Sequence, residues 1–419
     1  MMTAADNSKA RHSQLALMPL MLGLVVVGTA NQVMSKVRSV PLAKYNYFTA
    51  VLNSGVYALV WCTVVVVRIW LGHTDLASVR YVYSARSGAW RLLALCGLGD
   101  VAGNVLGFIG QPYLTLPMYS LANQGTLVFS VIFSMTLLHT RYILLELLAV
   151  ILVIAGMIIL VVSTCHGSDG GLNVLSFLVV VASTCGNAAS FVLKEKVFRG
   201  FQEFLDGQRV VSSSGVVASN TRLVELAHSN WSTTNESGQA AAAAHPAKKC
   251  DTFVVSSCTN LFGALFVLPM LPVNIILKQT DGKTLVEFFE DGVTCLGNVI
   301  PARDPFREGA CTFAWQAWFL YIVVNLFLNL LILLNVKHGS ALLTFVSMKA
   351  VTPCSLMASL VAWHVGPITL PASQAGPAGW ICLVLVLIGV CFFRYGNIVR
   401  DRLPDEKHKC CWPLRCTRP

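Results

Sequence analysis

Charge is what this sequence has least of. Asp, Glu, Lys and Arg make up 12% of its 419 residues, against roughly 25% in soluble domains. The acidic sign is the scarcer, with 20 residues against 30 basic ones. Catalytic signatures are missing too. There is no GxSxG, HExxH, P-loop, or GxGxxG in a strand–helix context. The chain is therefore read as no enzyme and as no ATP-driven pump. An intramembrane hydrolase would need a Ser/His or paired-Asp site at depth, and Asp100 has no Asp partner in any apolar run. The 14 cysteines include no CxxC pair and no Cys/His spacing that suits a metal. No metal and no cofactor is expected. The net charge of +10 falls in loops and tails, where a membrane protein collects basic residues, so it points to no nucleic acid.

What the sequence does have is long apolar runs. It is 55% hydrophobic, with a mean hydropathy of +0.66. Ten runs approach the length that spans a bilayer: 15–35, 47–70, 92–110, 115–138, 142–162, 172–193, 253–277, 313–334, 340–363 and 376–393. The expected fold class is an all-α integral membrane protein of ten transmembrane helices. The expected partners are the lipid bilayer and a small-molecule substrate, with no obligate protein partner. Asn31 and Gln32 make the first run too polar at its inner end for a signal peptide, and 14 leading residues are short for a transit peptide.

Basic residues set the orientation. With residues 1–14 in the cytoplasm, 22 Lys and Arg fall on the cytoplasmic side and seven on the other. This bias puts both termini, including a basic tail over 397–419, in the cytoplasm. Residues 200–249 read as a cytoplasmic low-complexity loop. Asn230 and Asn235 there match the glycosylation pattern, and would stay unmodified on that side. Residues 278–312 form the opposite, lumenal loop, with Cys295 and Cys311 as either a disulfide in an oxidising compartment or two free thiols.

A few polar residues sit at membrane depth. Asp100 lies mid-run, where a carboxylate should face protein or a water-filled cavity. Asn104 and Gln111 follow at i+4 and i+11, about 40° and 20° from Asp100 on an ideal helix, hence on one face. A shift of 225 residues lays Asp100 on Asn325, Asn104 on Asn329, and Gln124 on Lys349. Asn31 and Asn187 hold like positions in the first and sixth runs. An odd number of spans per repeat gives halves of opposite orientation, so 15–162 and 172–396 are read as two inverted five-helix repeats. The candidate cavity residues are Asn31, Gln32, Asp100, Asn104, Gln111, Asn123, Gln124, Asn187, Asn325, Asn329 and Lys349. Asp100 is the candidate for proton coupling, and Lys349 for binding a carboxylate or serving as counter-ion to Asp100. Gly99, Gly103 and Gly107 form a small-residue face suited to close helix packing.

Several stretches resemble the chloroquine-resistance-transporter-like family, within the drug/metabolite transporter superfamily. They are Asn31-Gln32-Val33-Met34-Ser35-Lys36, Lys44-Tyr45-Asn46-Tyr47-Phe48, Leu106 to Gly110, Asn187 to Lys196, Leu268-Pro269-Met270-Leu271-Pro272, Gly292 to Leu296, and Leu343 to Pro353. The resemblance implies a ten-helix inverted-repeat transporter of digestive-vacuole, lysosome-like or plastid membranes. It implies substrates such as amino acids, small peptides, thiol peptides and cationic drugs, usually with proton coupling. Cys295 and Cys311 match one cysteine pair of the family's lumenal loop. The family's drug-sensitive position falls near Gln32, which implies no fixed positive charge at that point. The expected function is secondary active transport of a small polar organic solute across an endomembrane. The alternatives are a nucleotide-sugar or phosphate-ester carrier of the same superfamily, and a non-transporting receptor or scaffold.

Overall fold

The computed structural model describes residues 4–84, 87–140, 142–165, 170–224, 250–276, 282–302, 311–338, 341–372 and 376–402. Helices dominate them. The first half holds α1 (Ala4–Ser39), α2 (Asn46–Trp70), the short α3 (Leu76–Tyr83), α4 (Ala89–Gly110), α5 (Leu116–Ala122), α6 (Gly125–Leu137) and α7 (Leu144–Cys165). The second half holds α8 (Gly170–Val224), α9 (Thr252–Phe266), α10 (Leu271–Ile276), α11 (Leu285–Leu296), α12 (Ala314–His338), α13 (Ala341–Ser359) and α14 (Pro377–Arg402). Seven segments of described residues are long and apolar enough to cross a membrane, and α9 and Pro377–Phe393 are shorter apolar helices. Each of the ten expected runs overlaps helix. The expected loop over 200–249 falls partly on α8, which runs to Val224. Asn230 and Asn235 lie outside the described residues.

Local chemistry sets several boundaries. Asp75 and Asp251 cap α3 and α9 by accepting the backbone N–H of Ala77 and Phe253. Thr284 and Glu287 form a capping box at α11. Pro117 sits in the first turn of α5, where its missing N–H is harmless. The fourth expected span is broken at Asn123–Gln124, between α5 and α6. The seventh is broken by a 3₁₀ turn at Leu268–Met270 with Pro269 inside it.

The all-α expectation needs one correction. Residues Trp363–Val365 (β1) and Ile368–Leu370 (β2) form an antiparallel hairpin, pairing Val365 with Ile368. β-branched residues flank a Gly366-Pro367 turn, and Gly366 takes φ +58°, a backbone that favours glycine. The helix that the ninth run implied to 363 therefore stops at Ser359. Ile368 and Leu370 pack with Val33, Val37 and Leu116.

Among the described residues, α4 packs on α8, α9 and α2, α6 packs on α8, α1 packs on α12 and α13, and α7 and α14 pack on each other. Cys295 and Cys311 are disulfide-bonded, with Cα atoms 4.8 Å apart. The bridge ties α11 to the start of α12 beside Pro41, whose carbonyl accepts the Cys311 N–H. Phe288 and Phe289 of α11 pack on Tyr45 and Phe48. This loop thereby covers the junction of α1 and α2.

Candidate functional site

Gln111 ties the end of α1 to the end of α4. It is fully buried in the 3₁₀ turn that follows α4. Its amide donates to Ser35 Oγ at 2.8 Å, and its Oε1 accepts from Arg38 Nη2 at 3.1 Å. Lys36 Nζ donates to the carbonyls of Gln111, Pro112 and Leu114 at 3.0, 3.1 and 2.7 Å. The Gln111 and Pro112 carbonyls lie in the 3₁₀ turn after α4 and that of Leu114 just beyond it, and a cation suits this end of a helix. Lys36 and Lys44 also line a cavity of about 370 Å³ with Ser39, Pro112 and Tyr113. Lys36 lies one turn beyond Gln32 along α1, and Arg38 follows it.

Arg38 is buried, 1% exposed. Its guanidinium lies 3.8 Å from the Phe108 ring centroid and 4.6 Å from that of Tyr321. Tyr57, Tyr119 and Tyr321 are its electrostatic neighbours. Asn325 donates to Tyr57 Oη, and Asn329 donates to the Asn325 carbonyl at 2.8 Å. Asn123, at the α5–α6 break, hydrogen-bonds to Tyr119. Helices α1, α2, α4, α5 and α12 thus each contribute to one polar-aromatic cluster.

A second group lies where α1, α13 and the α5–α6 break meet. Lys349 on α13 is 8% exposed, and no hydrogen bond or ion pair joins it to another described residue. Gln124 donates to Thr352 Oγ1, one turn along α13. The buried oxygens Asn31 Oδ1, Gln32 Oε1 and Gln124 Oε1 have no hydrogen-bond partner among the described residues.

Asp100 stands apart from both groups. It pairs with Lys194 of α8 at 2.7 Å, which corrects the expectation that Lys349 is its counter-ion. Asn104 is exposed on α4. Asp100, Asn104 and Gln111 therefore do not act as one face: the first meets α8, the second is open, and the third meets α1. Gln111 lies past the end of α4, so the tighter turn sets its direction. Asn187 is half-buried on α8 and packs directly on Gly103. Sequence reasoning missed Arg38, Tyr57, Tyr119 and Tyr321. The apolar run that ends at residue 35 leaves Arg38 outside it, whereas α1 continues to Ser39.

The model of the CRT-like (chloroquine-resistance transporter-like) family matches residues 17–216 and 242–393. The chain belongs to this family. Among its relatives, the protein named CLT2, chloroplastic, of Arabidopsis thaliana is 27% identical over 87% of this chain and 73% of its own length. Crt homolog 3 of Dictyostelium discoideum is 21% identical over 91% of this chain and 73% of its own length. The chloroquine resistance transporter of Toxoplasma gondii is 24% identical over 74% of this chain and 31% of its own length. Family membership and the apolar helices together make this a multi-pass membrane protein of a transporter family, and nothing points to catalysis.

Proposed function

We propose that the protein is a secondary active transporter. It moves a small polar organic solute, of the amino acid, small peptide, thiol peptide or cationic drug kind, by alternating access. The observation that carries this reading is the interior shared by α1, α12, α13 and the α5–α6 break. It buries Lys349, Arg38 and several amides that the protein itself leaves partly unsatisfied. Such groups at membrane depth are costly unless they face a solute path. A receptor or scaffold has no use for them.

The helix packing supports two inverted halves. Pair α1 with α8, α4 with α12, and α5–α6 with α13. The contacts of α1 with α12 and α13 then exchange with those of α8 with α4 and α6. The pairs α2·α9 and α7·α14 map onto themselves. Ten spans in two repeats of five are the simplest arrangement with that exchange.

In this reading both termini are cytoplasmic and the compartment is a vacuolar or lysosome-like endomembrane. Proton coupling is assigned to Asp100, whose carboxylate pairs with Lys194 across the α4–α8 contact. The test is uptake into proteoliposomes of amino acids, small peptides, glutathione and cationic drugs, with and without a pH gradient. Accumulation driven by the gradient is expected. An Asp100→Asn protein that accumulates solute with unchanged pH dependence would sink the assignment of coupling to this carboxylate.

A further inference from the structure

Arg38 is a full positive charge enclosed in the membrane domain. Its Nε and Nη1 have no acceptor among the described residues; only Nη2 is bonded, to the neutral Gln111 amide oxygen. No carboxylate among the described residues pairs with it, and its electrostatic neighbours are three tyrosines. The Phe108 and Tyr321 rings stabilise a cation, and the C-terminal end of α1 contributes partial negative charge. None of these is a counter-charge. An uncompensated buried guanidinium is strongly unfavourable. Lys349 shares this lack of a partner, but three other cations do not. Lys194 has Asp100, Arg68 has Asp251, and Lys36 has three carbonyls.

We propose that Arg38, with the hydroxyls of Tyr57 and Tyr321, is the anion subsite of the transport cavity and takes the carboxylate of the solute. The unsatisfied N–H groups supply charge-assisted hydrogen bonds to a carboxylate. The Phe108 and Tyr321 rings, set edge to face with each other, flank the guanidinium and restrict its orientation. A single guanidinium matches one negative charge, which favours a carboxylate over a phosphate dianion. This assignment rests on the transporter reading, and it turns the general polar solute into one that bears a carboxylate.

The test separates the two. Full-length protein in nanodiscs is melted with acetate, lactate or glycylglycine, with glycylglycinamide, with inorganic phosphate, and with chloride at matched ionic strength. Carboxylates are expected to raise the melting temperature, and glycylglycinamide and chloride are not. Arg38→Gln should weaken the carboxylate response by about tenfold or more in half-effective concentration, as for loss of a charged hydrogen bond. Arg38→Lys, which keeps the charge, and Tyr57→Phe with Tyr321→Phe, which keep the fold, should weaken it by less. Should Arg38→Gln not fold, these two variants decide: an unchanged response in both overturns the proposal. Equal stabilisation of wild type and Arg38→Gln overturns it, as does no stabilisation of wild type by any carboxylate. Stabilisation by phosphate alone, lost in the variants, overturns the carboxylate assignment. A carboxylate response through Arg38 without proteoliposome uptake of glycylglycine or lactate supports the subsite and counts against transport.

Discussion

Along α4 and α8 backbone meets backbone. A Cβ on Gly99 would lie 2.8 Å from the Gly186 carbonyl oxygen, and one on Gly103 would lie 2.9 Å from the Ser183 carbonyl. Along α1 and α13 backbone meets side chain: a Cβ on Gly28 would meet Val351 Cγ2. The charges differ in the same way. The α4–α8 seam carries the Asp100–Lys194 pair, whereas the α1–α13 side buries Lys349 and Arg38 without an acidic partner among the described residues. Glycine contacts leave no room for a solute, and paired charges need none. Under the transporter proposal, the seam with longer side chains and unbalanced charge is the one assigned to the solute.

The largest test of this contrast is at the glycines. Gly186→Ala puts a methyl into the Gly99 carbonyl, which cannot rotate away, while Gly28→Ala meets a valine side chain that can. Overpacking costs typically about 1–3 kcal/mol, and we expect Gly186→Ala at or above that range and Gly28→Ala well below it. Melting curves of the two purified variants in detergent read the difference, and equal losses would erase the contrast. Next in size is Lys349→Met. Removing an unpaired buried charge should raise the melting temperature, with a gain of about 1–4 kcal/mol by analogy with buried ions in other proteins, while uptake falls. A variant that is both less stable and fully active would place Lys349 with the packed seam instead. The smallest effect is the Asp100→Asn, Lys194→Gln double-mutant cycle. Both side chains are partly exposed, 30% and 25%, so a coupling of about 1 kcal/mol or less is expected. A markedly larger value would mean that the pair holds the seam shut on its own.

The helical framework was legible because long apolar runs have few other uses. The Gly99 and Gly103 packing face was legible too, since small residues four apart have a narrow range of roles. Partners were not. Sequence spacing put Asp100 near Asn104 on one helix, yet its partner is Lys194, 94 positions away, and only the crossing of α4 and α8 brings them together. Arg38 was hidden for a different reason. A basic residue after an apolar run normally snorkels to the interface, and nothing local says that Phe108 and Tyr321 will enclose it. The hairpin at Trp363–Leu370 falls almost wholly between the ninth and tenth runs, and its two three-residue strands are too short for an alternating pattern to mark them.

The three carbonyls held by Lys36 limit how the molecule can move. Rotating α1 away from the turn after α4 would strip the ammonium of all its acceptors at once, and would also break the Ser35–Gln111–Arg38 chain. The end of α1 and the end of α4 must therefore travel as one lever. Under the proposed alternating access, rocking that exposes the cavity to the other side has to bend elsewhere. The breaks at Asn123–Gln124 and at Leu268–Met270, and Pro353 within α13, are where the backbone is already free of a continuous helical ladder.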